Sequence, residues 1–224
     1  MLIITFFANN SCRAQGHIRT DSSFTTKFSP PETTISAKSF IIPGILVTVG
    51  ALGKSGSFII SDKKIKEERD ESFRGFYTSV DNYLQFAPIA AGYAIALSNK
   101  KYNVWRYTEK MLLGEVVMNA FVQPLKRLTK EGRPDTGSPN SFPSGHTAQA
   151  FCGATIFCDE FARHKFWLAA TIYSSASAVG VLRVLNNRHW AGDVVAGAGF
   201  GMLSAKISEW IMAPRNKSRH GSIL

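Results

Sequence analysis

Hydrophobic residues occur along this chain in long stretches that do not alternate with polar residues as they would in a strand. Within these stretches Ala, Gly, Leu and Met are frequent, and clusters of glycine or of charge separate one from the next. Long apolar runs without alternation are typical of α-helices. The sequence therefore predicts an all-α protein, with a charged connector at 62–74 after the first helix. The predicted helices cover residues 40–53, 84–98, 111–125, 147–162, 166–185 and 194–212.

The length and charge of these stretches leave open whether they cross a membrane. A clean transmembrane helix needs about 20 apolar residues, and most of these stretches are shorter or carry charge. Lys206 and Glu209 interrupt the last one, acidic residues lie at 159–160, and the mean hydropathy is −0.03. Small residues at 90–94 and 196–201 permit close helix packing, which is common in membrane bundles and also occurs in soluble cores. A membrane bundle with short or shielded helices and a soluble bundle both fit.

Length, charge and cysteine usage narrow the class of protein. At 224 residues the chain suits one domain with a full core. Its 26 Lys and Arg against 16 Asp and Glu give a net charge of +10, which fits an anionic membrane or a phosphorylated substrate. Nucleic acid is not predicted as a partner, because the basic residues are dispersed and no nucleic-acid-binding motif is present. Cys152 and Cys158 are predicted to be buried free thiols, since the cysteines form no disulfide framework.

The amino terminus is similar to an export signal. Residues 2–8 form a short apolar run, and the small residues Cys12 and Ala14 resemble a signal-peptidase site that would be cut before Gln15. The basic residues that usually open such a signal are missing. The predicted organisation is a candidate signal peptide at 1–14, an extended lead-in rich in Ser and Thr at 15–38, and a single domain at 39–224.

Three short clusters of cations, histidines and one carboxylate carry the candidate chemistry. They are Lys126 with Arg133-Pro134, then Pro143-Ser144-Gly145-His146, and then Arg183 with His189 and Asp193. Three fixed cations suit a phosphate dianion. Two histidines supply what phosphate cleavage then requires, a nucleophile and a proton donor. The clusters therefore predict a phosphoryl-transfer enzyme.

The order and spacing of these clusters resemble the tripartite signature of the type 2 phosphatidic acid phosphatase superfamily. That superfamily also contains bacterial class A acid phosphatases and vanadium haloperoxidases. The signature spans 126–193, and the helical pattern from about 84 to 212 fits the family's helix bundle. The chain departs from the family at Leu182, where a serine usually precedes the third-cluster arginine. The lost hydroxyl would remove a supporting hydrogen bond and not a catalytic group.

The resemblance implies that a phosphate cradle is formed by Lys126, Arg133, Arg183, Ser144 and Gly145. A lysine supplies a point charge, whereas each arginine offers a planar fork that can bind two oxygens. The Ser144 hydroxyl and the backbone N–H groups of Ser144 to His146 would complete the cradle. The chain then enters a helix, whose amino-terminal end favours an anion.

The resemblance also assigns the catalytic roles. His189 would attack phosphorus and form a phosphohistidine, with Asp193, about one helical turn away, accepting the other ring N–H. His146 would protonate the departing alkoxide and later activate water. Spacing alone would let the two histidines exchange roles, and Asp193 also stands where it would cap the last helix. No carboxylate cluster offers a metal site, so turnover without metal or other cofactor is predicted.

Several functions remain compatible with the sequence. The first is a membrane-associated phosphatase acting on a lipid phosphate, such as an isoprenoid pyrophosphate, phosphatidate or a lipid A phosphate. The second is a soluble exported acid phosphatase of broad specificity. A vanadate-dependent haloperoxidase would use the same cradle, but those enzymes are generally much longer. The complete set of catalytic positions argues against a non-catalytic lipid-headgroup binder, and the sequence names neither the substrate nor the oligomeric state.

Charge asymmetry predicts the orientation of a membrane form. In an up-down bundle the two connections that carry the clusters fall at the same end. By the positive-inside rule the opposite end would be cytoplasmic. This predicts an inner membrane of a bacterial-type envelope with a periplasm-facing site, or the periplasm itself for a soluble form. The basic residues of the opposite end are Lys100, Lys101, Arg106, Arg163, His164, Lys165, Arg215, Lys217 and Arg219.

Overall fold

The computed structural model describes residues 36–53 and 61–213. Within these ranges the protein is all-α, as predicted, and β-structure is limited to one isolated bridge between Gly132 and Pro139. The candidate signal peptide, the lead-in up to residue 35 and the basic residues at 215–219 lie outside the described residues. The elements are a 3₁₀ turn, Ala37–Phe40, and the helices α1 Ile41–Gly53, α2 Asp62–Ser72, α3 Val80–Leu84, α4 Ala87–Ser98, α5 Val104–Thr129, α6 Gly145–Phe161, α7 Phe166–Leu185 and α8 Ala191–Met212.

The charged connector predicted for 62–74 is wrong, because most of it forms α2. The Ser61 hydroxyl caps this helix, and the oppositely charged side chains of Lys66 and Asp70 meet one turn apart. Pairs at this spacing support a polar helix that lacks an apolar stripe of its own. The hydrophobic pattern missed α2 because its contacts with the bundle are mainly polar.

The helix predicted for 84–98 is observed as α4, which begins at Ala87, and the short helix α3 that precedes it was not predicted. Residues 85–86 separate the two, and Pro88 lies in the first turn of α4. A proline there has no hydrogen bond to lose and favours a new helix start. The break gives α3 its own direction, and this short helix reaches the end of the bundle that carries the clusters.

The helix predicted for 111–125 is the central part of the longer α5. Asn103 caps its start by accepting a hydrogen bond from a first-turn N–H at 3.1 Å. Lys130, in the left-handed conformation with φ of 48°, ends it. The first two turns are polar in sequence but contribute the buried side chains of Tyr107 and Lys110. A prediction from the apolar run alone therefore underestimates the length of this helix.

Helix α8 lies at the centre of the bundle and packs against α1, α5 and α6. Its small residues at 196–201 are buried. A Cβ on Gly201 would lie 2.2 Å from the carbonyl oxygen of Ala148, and a Cβ on Gly197 would lie 2.5 Å from that of Ser144. The small residues thus set the distance between α8 and α6. Cys152 on α6 is a buried free cysteine, as is Cys158.

Replacing Gly201 with alanine is expected to destabilise the protein by about 1–3 kcal/mol, because the added methyl overlaps backbone atoms that cannot rotate away. The measurement is thermal unfolding of the purified chain. Gly44→Ala on α1 is the matched control, since a Cβ there meets nothing within 4 Å. Alanine has the higher helix propensity, so the control should keep or slightly raise the melting temperature. Equal melting temperatures for the two variants would contradict the close approach.

Charges that interrupt the apolar stretches pair with one another at the end of the bundle away from the clusters. Lys206 on α8 contacts Asp159 on α6 at 2.7 Å and Glu209 at 3.5 Å. Lys110 on α5 contacts Glu160 at 2.6 Å. These pairs join three helices, so part of the low mean hydropathy reflects ion pairs between helices.

One of the described helices, α7, is long and apolar enough to cross a membrane. It has 20 residues, an apolar window with a mean hydropathy of 1.5, and only 28% of that window is buried inside the protein. The segment Ala37–Gly53 is apolar but shorter. A single helix of this kind is weak evidence by itself, because core helices of soluble proteins pass the same test.

Candidate active site

The three sequence clusters meet at one end of the bundle, where α5 and α7 end and α6 and α8 begin. The backbone N–H of Ser144 donates to the carbonyl oxygen of Asp193 at 3.0 Å. The indole Nε1 of Trp190 donates to the carbonyl oxygen of Gly132 at 2.8 Å. These bonds fix the α5–α6 loop against the α7–α8 turn. The predicted site residues therefore share one region although they span 68 positions of the chain.

His189 is buried against Asp193 and Ser141. Its Nδ1 lies 3.5 Å from Oδ2 of Asp193 and 3.4 Å from the Ser141 hydroxyl, and only 2% of His189 is exposed. The same Asp193 oxygen accepts hydrogen bonds from the Ser141 hydroxyl and from the backbone N–H of Trp190. Asp193 thus caps the start of α8 and faces the imidazole at the same time. An Nδ1 proton directed at this carboxylate would leave Nε2 with a free lone pair.

Burial keeps the imidazole of His189 neutral. It lowers the pKa of His189 to about 4, while the hydrogen bond and charge of Asp193 act in the opposite direction. Desolvation disfavours the imidazolium. A neutral ring at physiological pH is the form that can act as a nucleophile.

His146 lies in the first turn of α6 and contacts a residue of α3. Its Nε2 is 2.9 Å from Oδ1 of Asn82. Burial lowers the pKa of His146 to about 4, and the nearby cations Arg183, Arg133 and Lys126 lower it further, whereas Asp81 raises it. The imidazole of His146 is therefore neutral at physiological pH.

Lys126, in the last turn of α5, points its ammonium toward the loop that leads to α6. The Nζ donates to the carbonyl oxygen of Asn140 at 2.7 Å and to that of Ser141 at 3.3 Å. A Cβ on Gly145 would come within 4.0 Å of the Lys126 side chain. The lysine thus lies beside the start of α6, where N–H groups have no partner within the helix.

Each of the two arginines has a guanidinium nitrogen that no described residue satisfies. The Nε atoms of Arg133 and Arg183 are buried without a hydrogen-bond partner in the described part of the chain. A buried donor without an acceptor is costly, and a bound anion would supply that acceptor. The Nη1 of Arg183 donates to Oδ2 of Asp81 at 2.7 Å.

Ser144 differs from the expectation that its hydroxyl and N–H would face phosphate. The hydroxyl is fully buried and lies 2.9 Å from that of Thr147, and the N–H is bonded to Asp193. In this arrangement Ser144 fixes the loop to α8. Gly145 and His146 are the first two residues of α6, so their backbone N–H groups have no partner within the helix, and Gly145 lies beside the Lys126 side chain.

Sequence reasoning missed residues of α2 and α3 that contact the site or the end of α7 beside it. Asp81 and Asn82 on α3 contact Arg183 and His146. On α2, Arg69 donates to the carbonyl oxygen of Leu185 at the end of α7 at 2.7 Å. No motif covers this segment, so nothing in its sequence indicated that it lies beside the third cluster.

The described residues contain no group of three or more His, Cys, Asp or Glu side chains placed to hold a metal ion. The site consists of cations, two histidines and the carboxylates of Asp81 and Asp193.

The chain is similar to known proteins in sequence and in fold. The chain is 36% identical to the lipid A 1-phosphatase of Porphyromonas gingivalis over 155 residues, which is 67% of this chain and 34% of that protein. The chain thus spans about a third of the length of this relative. Among solved structures, it matches the transmembrane PAP2 type phosphatidylglycerolphosphate phosphatase of Bacillus subtilis with a TM-score of 0.59 and 18% identity, covering 82% of this chain and 100% of the other.

A second solved structure, LpxE of Aquifex aeolicus, matches with a TM-score of 0.48 and 21% identity over 64% of this chain and 93% of the other. The model of the PAP2 superfamily matches residues 103–217, which include all three clusters. The family assignment made from the clusters is confirmed. The chain belongs to the PAP2 superfamily.

Proposed function

We propose that this protein is a metal-independent phosphatase that hydrolyses the phosphate monoester or pyrophosphate of a lipid through a phosphohistidine at His189. The observation that carries the proposal is the combination of two unsatisfied buried guanidinium nitrogens, on Arg133 and Arg183, with a neutral buried histidine held by a carboxylate. Such donors match the oxygens of a transferring phosphoryl group. The neutral ring supplies the nucleophile.

In the first step the lone pair on Nε2 of His189 attacks phosphorus in line with the bond to the leaving oxygen. The N–P bond forms as the O–P bond breaks, and Lys126, Arg133 and Arg183 hold the peripheral oxygens. Asp193 keeps the Nδ1 proton of His189 in place and stabilises the charge that develops on the ring. His146 gives its proton to the departing alkoxide, which leaves as an alcohol.

In the second step water attacks the phosphohistidine. His146, now neutral, accepts a proton from the water, and inorganic phosphate leaves as His189 returns to its neutral form. The low pKa of His146 in the free protein would leave it unprotonated at neutral pH. A phosphate dianion favours the imidazolium and raises that pKa. Substrate binding is therefore coupled to protonation of His146.

A lipid substrate is supported by the fold and by the relatives. Helix α7 is apolar, and only 28% of its apolar window is buried inside the protein. The relative from Porphyromonas gingivalis is a lipid A 1-phosphatase, which makes lipid A 1-phosphate the first substrate to test. The basic residues at 100–101 and 163–165 lie at the end opposite the site. By the positive-inside rule, the protein lies in the inner membrane of a bacterial-type envelope with the site facing the periplasm.

The test is phosphate release in excess EDTA from a matched pair of substrates, a long-chain lipid phosphate in detergent and a small aryl phosphate. We expect clear preference for the lipid phosphate and no effect of the chelator, because no step requires a metal. Loss of activity in chelator that Mg²⁺ restores would contradict the metal-independent mechanism.

A second candidate function, a soluble acid phosphatase of broad specificity, is favoured by the mean hydropathy of −0.03 and by the single described helix suited to a membrane. Comparable rates on both substrates, with activity recovered in a high-salt wash, would support it. Bromide oxidation with added vanadate, without phosphate release, would instead indicate haloperoxidase chemistry.

A further inference from the structure

The short helix α3 carries two adjacent polar residues, Asp81 and Asn82, that belong to none of the three clusters. Their side chains contact two residues of the proposed phosphate site, Arg183 and His146. Asp81 is 1% exposed, whereas Asn82 is exposed at the mouth of the site. One turn of helix thus contacts a phosphate ligand and the proposed general acid together.

Asp81 is part of a buried network that fixes the guanidinium of Arg183. Its Oδ2 accepts from Nη1 of Arg183 at 2.7 Å, and its Oδ1 accepts from Nδ2 of Asn186 at 3.1 Å. Asn186 in turn makes two 2.8 Å hydrogen bonds to the backbone of Thr78. Both carboxylate oxygens are therefore used, and the opposite side of the guanidinium keeps the unsatisfied Nε.

A fixed arginine binds phosphate better than a mobile one. An arginine side chain has many rotamers, and holding it in one of them before the ligand arrives removes that entropy cost from binding. The Asp81 carboxylate also opposes an anion by its own charge. The net effect of Asp81 on phosphate affinity therefore depends on which is larger, the gain in binding from orienting Arg183 or the loss from charge repulsion.

Asn82 acts on His146 in a different way. An amide oxygen accepts a hydrogen bond and cannot donate one, so the 2.9 Å contact requires a proton on Nε2 of His146. In the imidazolium form, which is the proposed general acid, both ring nitrogens carry a proton, and the contact with Asn82 fixes the position of the one on Nε2. Asn82 is exposed beside that atom, so this contact lies where the site meets the protein surface.

We propose that Asp81 and Asn82 form a positioning unit for this site: Asp81 holds Arg183 in its phosphate-binding orientation, and Asn82 orients the ring of His146, the proposed general acid, through the proton on its Nε2. The inference rests on the proposed function. It gives α3, and through Asn186 the start of the α7–α8 turn, a role in the reaction that the three clusters do not contain. An acidic residue in the first turn of a helix often serves only the helix, but both oxygens of Asp81 are bonded to residues outside α3.

For Asn82 the test is the variant Asn82→Asp, which places a carboxylate where the amide oxygen lies. The groups that set the charge around His146 are Arg183 on α7, Arg133 in the α5–α6 loop, Lys126 on α5 and Asp81 on α3. A further negative charge in contact favours the imidazolium. We expect the pKa of His146 to rise by about one unit or more.

The pKa of His146 is followed by NMR of isotope-labelled histidine in the full chain, assigned by the signal that His146→Gln removes. The matched control is Asn103→Asp, which makes the same charge change at the exposed cap of α5, at the other end of that helix. A shift in Asn82→Asp that is absent in the control supports the contact. An unchanged pKa in both would overturn the Asn82 part.

For Asp81 the test is Asp81→Asn, with binding of inorganic phosphate measured by calorimetry. An amide has one acceptor oxygen instead of two, so either Arg183 or Asn186 loses its partner. If orientation dominates, phosphate binding weakens by about tenfold. If the carboxylate acts only through its charge, removing it would tighten phosphate binding. Tighter or unchanged binding would therefore overturn the proposed role of Asp81.

Glu109→Gln, an acid-to-amide change at an exposed position of α5, controls for net charge and should leave phosphate binding unchanged. Asp81→Glu is the second variant, because it keeps both oxygens and should recover part of the affinity if Asp81→Asn folds poorly. A wild-type chain that neither binds phosphate nor releases it would refute the proposed function, and with it the Asp81 part. The titration of His146 needs no turnover and still decides the Asn82 part.

Discussion

Replacing His189 with alanine is expected to lower the rate of phosphate release by about 10⁴- to 10⁶-fold, the range seen when a covalent nucleophile is removed. In the proposed mechanism the ring is the group that forms the N–P bond, and Ser141, whose hydroxyl also bonds to Asp193, is a much weaker nucleophile than a neutral imidazole. Binding of inorganic phosphate should change far less, since the cations that hold the phosphate oxygens remain.

His189 is only 2% exposed, so its removal leaves a cavity that could destabilise the chain. His189→Gln, which fills more of that space, separates loss of chemistry from loss of structure, and the melting temperatures of both variants are measured alongside the rates. His164→Ala, at an exposed position in the loop between α6 and α7, is the control for a histidine outside the site and should retain full activity. Unchanged phosphate release in a folded His189→Ala variant would eliminate the phosphohistidine mechanism.

The residues around His189 show which parts of the site can be predicted from sequence. Asp193 lies four residues after His189, across the start of α8, so spacing alone places it near the ring. Ser141 contacts the same carboxylate from 52 positions away, and only the path of the α5–α6 loop brings it there. A separation of four residues keeps the two side chains close to each other, with His189 in the turn before α8 and Asp193 in the first turn of that helix. No local spacing predicts a contact between distant loops.

The contrast between α7 and α2 shows the same limit for the fold. The apolar stretch 166–185 matches α7 residue for residue, because its composition decides its structure. Helix α2 has no apolar stripe, so the hydrophobic pattern predicts a connector there. Its helical structure depends on Ser61 and on paired charges, and its place in the fold depends on the bonds of Arg69 to Leu185 and of Asp62 to Gly192. These partners are more than 100 positions away in the chain, beyond the reach of a pattern read along one segment.

The buried pair of Arg183 and Asp81 is a further contact that the sequence does not predict. The sequence predicted Arg183 as a phosphate ligand, and that role stays a prediction. The structure adds a carboxylate beside it that reduces the net positive charge of the site. Three cations without such a partner would repel one another before substrate arrives, as the lowered pKa of Arg133, caused by burial and by the charge of Arg183, indicates. The acid on α3 therefore limits the electrostatic strain of assembling the cradle.

Replacing His146 with glutamine is expected to slow the steps that need a proton donor or a base. Phosphoryl transfer from a substrate whose leaving group needs no proton should remain fast. An alkyl phosphate needs a proton on its leaving oxygen, so its hydrolysis should fall by about 10²- to 10⁴-fold. A nitrophenyl phosphate releases a stable phenolate without that proton. The transfer of its phosphoryl group to His189 should remain fast.

Hydrolysis of the phosphohistidine would still be slow in His146→Gln, because the base that activates water is missing. Nitrophenolate should therefore appear in a burst that matches the amount of enzyme, followed by slow turnover. Rapid-mixing measurement of nitrophenolate gives the size of the burst, and His164→Gln is the matched control, with ordinary turnover on both substrates. The phosphorylated protein that accumulates should carry its label on His189.

This experiment also decides between the two histidines, whose roles spacing alone leaves interchangeable. If His146 were the nucleophile, His146→Gln would give no burst, and the burst would appear instead in the His189 variants. The structure favours the first assignment, because His189 has a buried carboxylate at Nδ1, which is the arrangement that frees Nε2 for attack. His146 has only the neutral amide of Asn82 at its Nε2, and a hydrogen bond that occupies this nitrogen suits a proton donor and not a nucleophile.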